Sequence, residues 1–136
     1  MSQTDKDCKN EVTTASSEVW QHLVTPEGEP AGFQMRGTLP ADPDGVELLM
    51  EQWAAGMSEP PHAHPGDDMT VVVEGRMAVQ YYIQGPNGLE PEGERFILNQ
   101  GEIGYNKAGR IHDAQYLEAC KLVFVHSGAF GLHEYS

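Results

Sequence analysis

Basic residues are scarce in this chain of 136 residues, which has 8 Lys and Arg against 21 Asp and Glu. Its formal net charge is -13. Binding to nucleic-acid phosphates or to an anionic membrane surface depends on concentrated positive charge. The charge balance therefore argues against nucleic acid and membrane as main partners. It favours the attraction of cations, although it names no ligand.

Cysteine and long apolar runs are also scarce. Cys8 and Cys120 are the only two cysteines. They form neither a disulfide framework nor a Cys-based metal motif, so we expect two free thiols in a reducing compartment. No apolar run approaches the roughly 20 residues of a transmembrane helix, and the polar start of the chain does not resemble a signal peptide. These absences predict a cytoplasmic protein.

Glycine and proline, in contrast, are frequent after residue 25, with 15 Gly and 9 Pro. Helices of ordinary length do not fit between so many breakers. The intervening segments are short and typical of strands; they include 46–55, 69–75, 76–84, 94–102, 110–117 and 121–130. The pattern predicts seven to nine strands in one all-β domain, either a barrel or a sandwich. A flexible polar arm is expected over residues 1–17.

Some of these predicted strands, such as 69–73 and 122–125, are apolar on both alternating faces. Both faces of such a strand must be covered, one by the barrel interior and the other by a second sheet or a subunit. We therefore expect a homodimer.

Two histidines, His62 and His64, lie two residues apart just before a predicted strand. Side chains at i and i+2 project to the same face of a strand. Asp68 follows the same alternation if the intervening turn keeps its phase. Two imidazoles and a carboxylate on one face form part of a metal shell, for which Fe, Mn, Zn, Ni and Cu are all suitable. His112, on a later strand, is the best candidate for a further nitrogen ligand.

The same pattern allows simpler interpretations. Without His112, the histidine pair could be a solvated loop, and Asp67–Asp68 could be a charged turn. Tyr116 follows His112 by four residues, so it should share its face and could offer a phenolic acid or base. Strand tyrosines, however, more often pack with a polar tip in water. By parity, further residues could line the same interior; they are Thr70, Val72 and Gln80.

The segment 56–75 resembles the first sequence motif of the cupin superfamily. That motif reads G, five residues, H-x-H, three or four residues, E, six residues, G. The chain has Gly56, then His62 and His64, then Asp68, then Gly75, and every spacing agrees. The one departure is Asp in place of Glu.

The segment 101–116 resembles the second motif of the same superfamily, which reads G, five residues, P-x-G, two residues, H, three residues, N. The chain has Gly101, Gly109 and His112 at the corresponding positions. Lys107 and Tyr116 stand in place of Pro and Asn. Two motifs in order and at this spacing are a much more specific signal than a lone H-x-H pair.

The resemblance implies a single-domain jelly-roll barrel, a double-stranded β-helix, over residues 18–136. It also implies one divalent transition metal (Fe, Mn, Zn, Ni or Cu) inside the barrel, with the ligands His62, His64, Asp68 and His112. Because Asp68 is one methylene shorter than Glu, it could coordinate directly, through water, or leave a three-histidine site. Open metal positions would serve a small-molecule substrate, and Tyr116 is the candidate catalytic residue.

Cupins include dioxygenases, isomerases, lyases and pure binding modules, so the fold does not fix the function. The resemblance implies a metal-dependent enzyme of dioxygenase or isomerase/lyase type that acts on a small organic molecule. A non-catalytic module that binds metal or a small molecule is the alternative. The departures at Asp68, Lys107 and Tyr116 also leave open a dimeric scaffold without metal.

Overall fold

The structure is a computed structural model and describes residues 20–37, 45–128 and 131–135. The arm expected over residues 1–17 lies outside the described residues. The described part contains one 3₁₀ turn, Trp20–His22, and ten strands. They are β1 Phe33–Gly37, β2 Val46–Trp53, β3 Ser58–Ala63, β4 Asp68–Glu74, β5 Arg76–Gly85, β6 Gly88–Asn99, β7 Ile103–Asn106, β8 His112–Tyr116, β9 Cys120–Ser127 and β10 His133–Glu134.

The strands form two five-stranded antiparallel sheets. The first sheet has the order β1-β2-β9-β4-β7, and the second has the order β10-β3-β8-β5-β6. Most neighbours within a sheet are distant in sequence; β9, for example, pairs with both β2 and β4. This arrangement confirms the predicted all-β jelly roll. In the part of the chain that the structure covers, no helix is long and apolar enough to span a membrane.

The hairpin between β5 and β6 follows directly from its sequence. Gly85 pairs with Gly88 across the two-residue loop Pro86–Asn87, and Gly88 adopts a positive φ of 116° that suits glycine. The strand β6 then continues through Glu90 and Glu92, which the sequence favours as a solvated loop. These side chains are exposed, but their backbone belongs to an edge strand, where charge discourages pairing with other chains.

The strand β3 is the element that is least apparent from the sequence. It contains Pro60 and Pro61, which cannot donate a backbone hydrogen bond. The pairing of β3 with β8 shifts register between Glu59 and His62, so the proline pair lies at an irregularity of the ladder. A strand in this position holds His62 rigidly opposite His112.

Alternation along the strands separates a buried inner face from an outer face. In β9 the even-numbered residues from Cys120 to His126 are buried, while their odd-numbered neighbours are partly exposed. The buried residues of both sheets form one core cluster that includes Trp53, Val72, Met77 and Tyr116. Cys120 is buried and its thiol is free; Cys8 lies outside the described residues.

Candidate metal centre

Three imidazoles from two distant segments meet in the wall of an interior cavity. His62 belongs to β3, His64 follows this strand directly, and His112 begins β8. One ring nitrogen from each lies within 4.8 Å of the others. The ring centroids are 4.5 to 5.5 Å apart. The structure thus brings together the three histidines that the two sequence motifs contain.

Backbone carbonyl groups orient all three rings in the same way. The Nδ1 atoms of His62, His64 and His112 lie 2.7, 2.8 and 2.8 Å from carbonyl oxygens, which belong to Pro60, Gly131 and Arg110. Because a carbonyl oxygen can only accept, each Nδ1 carries the hydrogen. Each Nε2 therefore keeps a free lone pair, which is the form in which histidine binds a metal.

Burial also disfavours the protonated forms of His64 and His112. It lowers the pKa of His112 to about 4, with a further contribution from His62. It lowers the pKa of His64 as well, although the hydrogen bond to Gly131 acts in the opposite direction. Neutral rings do not need to lose a proton before they bind a cation.

Asp68, the fourth predicted ligand, is not a member of this group of mutually close nitrogens. Its side chain is buried, and its Oδ1 accepts a hydrogen bond of 3.1 Å from Asn106 Nδ2. Burial raises the pKa of Asp68 to about 6, against the effects of the Asn106 bond and the nearby His62 and His126. Among the described residues, its Oδ2 has no hydrogen-bond partner. Direct coordination by Asp68 stays a prediction.

Tyr116 lies on the inner face of β8, and both Tyr116 and His112 line the cavity. Its ring stacks on Trp53 at a centroid distance of 4.3 Å, and Trp53 stacks on Phe33 at 4.2 Å. The Tyr116 hydroxyl donates a hydrogen bond of 2.7 Å to Glu59 Oε1. Burial, followed by repulsion from Glu59, holds the pKa of Tyr116 well above 10. The phenol therefore stays protonated at neutral pH.

Two glutamates that the sequence analysis did not select also line the cavity. Glu59 Oε2 lies 4.0 Å from His62 Nε2. Glu51 Oε1 accepts a hydrogen bond of 3.0 Å from the indole Nε1 of Trp53. Burial raises the pKa of Glu51 from 4.5 to about 8, with a further contribution from Glu59. Glu51 is therefore largely protonated at neutral pH.

The cavity has a volume of about 750 Å³. Odd-numbered residues of β2 and β5 line it, among them Glu51, Met77 and Tyr81. Thr70 lines the cavity as predicted, but the expectation for Gln80 is wrong: parity turns it outward, where its amide donates to Gly93 O at 3.1 Å. Val72 is wholly buried in the core instead.

Comparisons with known proteins identify the fold through solved structures. No protein-family model matches the chain, and no curated protein sequence matches it. Many solved structures, in contrast, resemble it.

Three of them illustrate the likeness. KdgF from Halomonas sp. has a TM-score of 0.59 and 23% identity, over 76% of this chain and 86% of that one. Oxalate decarboxylase from Bacillus subtilis has a TM-score of 0.64 and 16% identity, over 83% of this chain and 29% of that one. The Cnp3 cupin domain of Schizosaccharomyces pombe has a TM-score of 0.58 and 12% identity, over 74% of this chain and 67% of that one.

Identities this low establish a common architecture, and activity does not follow from architecture. The chain spans less than a third of the length of the oxalate decarboxylase. Together with the two antiparallel sheets and the two motifs that carry the histidines, the comparisons lead to one conclusion: this chain has the cupin fold.

Proposed function

We propose that His62, His64 and His112 bind one divalent transition metal, and that the protein is an enzyme acting on a small organic molecule in the cavity. The observation that carries the proposal is the common orientation of the three rings. Each Nδ1 donates to a backbone carbonyl, which leaves the Nε2 lone pairs for a metal, and one ring nitrogen of each histidine lies within 4.8 Å of the others. This set suits Fe, Mn, Zn, Ni or Cu.

The bound metal would polarise a substrate oxygen as a Lewis acid. The residues around it can hold and move protons. Glu51 is a protonated carboxylic acid at neutral pH, and Tyr116 is a protonated phenol whose hydrogen points at Glu59. A neighbouring proton donor and acceptor are what general acid–base catalysis requires. This supports proton transfer of the isomerase or lyase type over a dioxygenase reaction, with Tyr116 as a proton-transferring residue.

Metal analysis of protein purified without a histidine tag tests the proposal. We expect near-stoichiometric metal in the wild-type chain and its loss in His62→Ala, because one of three converging lone pairs is removed. His22→Ala is the matched control, since His22 is exposed and distant in sequence from both motifs. Wild-type protein that takes up no metal after incubation with each candidate ion contradicts the proposal.

Turnover separates an enzyme from a binding module. A panel of diketones, phenols and sugar acids is incubated with the metal-loaded chain, and the products are followed by mass spectrometry. Ligand binding without any product would favour the non-catalytic alternative.

We also propose that two copies pair through the outer face of the first sheet. The register places two rows of apolar side chains across four strands of this face. They are Leu48–Val125–Met69–Tyr105 and Met50–Val123–Val71–Ile103. Met69 is 48% exposed and Ile103 is 64% exposed. Because neither row contains a charged residue, two copies with a net charge of -13 each can approach here with the least repulsion.

Light scattering tests the pairing. We expect a dimer for the wild-type chain and a monomer for Met69→Lys, which places a charge in the centre of the face. Gln84→Lys adds the same charge at an exposed position of β5 in the other sheet and should stay dimeric. A wild-type monomer at micromolar concentration contradicts the pairing.

A further inference from the structure

We infer that the cavity accepts an uncharged, largely apolar molecule bearing a hydroxyl or carbonyl oxygen, such as a phenol or a diketone, and excludes dicarboxylates. This inference rests on the proposed function, because it assigns a substrate class to the same cavity. It is carried by three features of the lining: its charges, its apolar walls and the grouping of polar side chains around the histidines.

The first feature is the sign of the lining charges. Among the described residues, no Lys or Arg lines the cavity, whereas Glu29, Glu59 and Glu134 do. A dicarboxylate therefore meets no Lys or Arg among the described lining residues, and the acidic side chains of the wall disfavour a further anion. An anion moved out of water without a partner is strongly disfavoured.

Arg110, which adjoins the second motif, does not change this balance. Its guanidinium group forms an ion pair with Glu92 and stacks over the Tyr81 ring at 4.4 Å from the centroid. The stacking places it against Tyr81, and Arg110 itself is not among the residues that line the cavity. The Arg110 side chain is thus engaged by Glu92 and Tyr81 and is not a lining residue.

The second feature is the apolar wall. Side chains from both sheets contribute aliphatic and aromatic surface; among them are Phe33, Trp53, Met77, Val79, Leu98 and Phe124. A cavity of about 750 Å³ falls in the range that holds a molecule of drug size. Burial of an apolar body against this wall is the main source of affinity that the cavity offers.

The third feature is that one group of polar side chains stands together in the wall. The imidazoles of His62, His64 and His112 stand together, and the Tyr116–Glu59 pair lies beside them, since Glu59 approaches His62 to 4.0 Å. A molecule with one oxygen-bearing end and an apolar remainder matches this distribution. Its oxygen end would face the imidazoles, and its body would lie along the wall.

Calorimetric titration with two probes of similar size tests the inference. Benzoylacetone is an uncharged aromatic diketone, and phthalate is an aromatic dicarboxylate. Both are titrated into metal-free protein, prepared with a chelator, and into metal-loaded protein. We expect benzoylacetone to bind at least about tenfold more tightly than phthalate. The preference should persist in the metal-free protein, because it originates in the wall.

A gain-of-charge variant makes the test specific to the wall. Ser58 lines the cavity and is exposed, so Ser58→Arg adds a cation without disturbing the core. The ratio of the benzoylacetone affinity to the phthalate affinity should fall at least about threefold. Gln84→Arg carries the same charge change outside the cavity and should leave the preference unchanged. Equal or tighter binding of phthalate by metal-free wild-type protein overturns the inference, as does failure of both probes to bind.

The metal content of the same samples separates this inference from the proposed function. Loss of the diketone preference with metal retained overturns only the substrate class. Failure to bind metal with the diketone preference retained overturns the metal chemistry and supports the substrate class.

Discussion

The cavity contains two polar clusters that are held in place differently: the three histidines, and the glutamates Glu51 and Glu59. Backbone carbonyl groups accept hydrogen bonds from His62, His64 and His112, so their hydrogen-bonded orientation is set by the main chain. Glu51 and Glu59 are fixed by other side chains, Trp53 and Tyr116. The comparison teaches that metal binding by the three histidines should tolerate substitution of surrounding side chains. Proton transfer that involves Glu51 and Glu59 should instead be sensitive to such substitutions.

The largest effect that separates the two clusters is expected for Glu59→Gln. The variant keeps the size of the side chain but removes the carboxylate that faces Tyr116. We expect turnover to fall by roughly 100-fold or more, as for loss of a general acid or base, with metal content unchanged. Steady-state kinetics and metal analysis of the same preparation measure both quantities. Loss of metal in Glu59→Gln would show that the two clusters are not independent.

Tyr116→Phe is expected to act on stability. It removes the hydroxyl that donates to Glu59 and retains the ring that stacks on Trp53. We expect the free energy of unfolding to fall by about 1–3 kcal/mol, because the Glu59 carboxylate loses its partner. Urea denaturation measures the change. Glu59→Gln/Tyr116→Phe serves as the control, and a double variant that is destabilised by the sum of both single changes would argue against a coupled pair.

Glu51→Gln is expected to change the pH dependence of stability. The pKa of Glu51 is raised from 4.5 to about 8 in the folded chain, so its ionisation disfavours folding as the pH rises through this window. Wild-type stability relative to Glu51→Gln should therefore be greatest below pH 4.5 and should decline up to about pH 8. Thermal unfolding across this range measures the difference. A difference that is independent of pH would contradict the raised pKa.

The smallest effect is expected for Asp68→Asn. The Asp68 carboxylate lies outside the group of converging nitrogens and is engaged by Asn106. We expect metal affinity to fall by less than about tenfold, a value at the lower limit for groups that only support metal ligands. Competition with a chromogenic chelator measures the affinity. A loss as large as that of His62→Ala would make Asp68 a fourth ligand and would place it with the histidines.

Only one of the two clusters could be predicted, because only the histidines are marked by their local spacing in the sequence. His62 and His64 are two residues apart and His112 follows a glycine frame, so local spacing marks all three. Glu51 carries no such mark. Within VELLMEQW the apolar residues occupy both parities, and the inward set, Glu51 and Trp53, emerges only when β2 pairs with β9.

Strand boundaries, similarly, could be predicted only where local residues mark them. The hairpin between β5 and β6 is marked by the turn residues of its GPNG segment. The strand β3 is hidden, because its prolines argue against a strand although the ladder accommodates them at a register shift. Glu90 and Glu92, similarly, suggest a loop by composition, whereas pairing with β5 makes them part of an edge strand.

The sequence by itself determined the all-β architecture and the three imidazoles, because alternation, turn residues and motif spacing act over a few residues. Only the tertiary structure decided which face of each strand points inward. It thereby placed Glu51 and Glu59 in the cavity and turned Gln80 out of it. The physical reason is that these outcomes depend on pairings between strands far apart in the chain, and a shift of one residue in such a pairing exchanges the two faces of a strand.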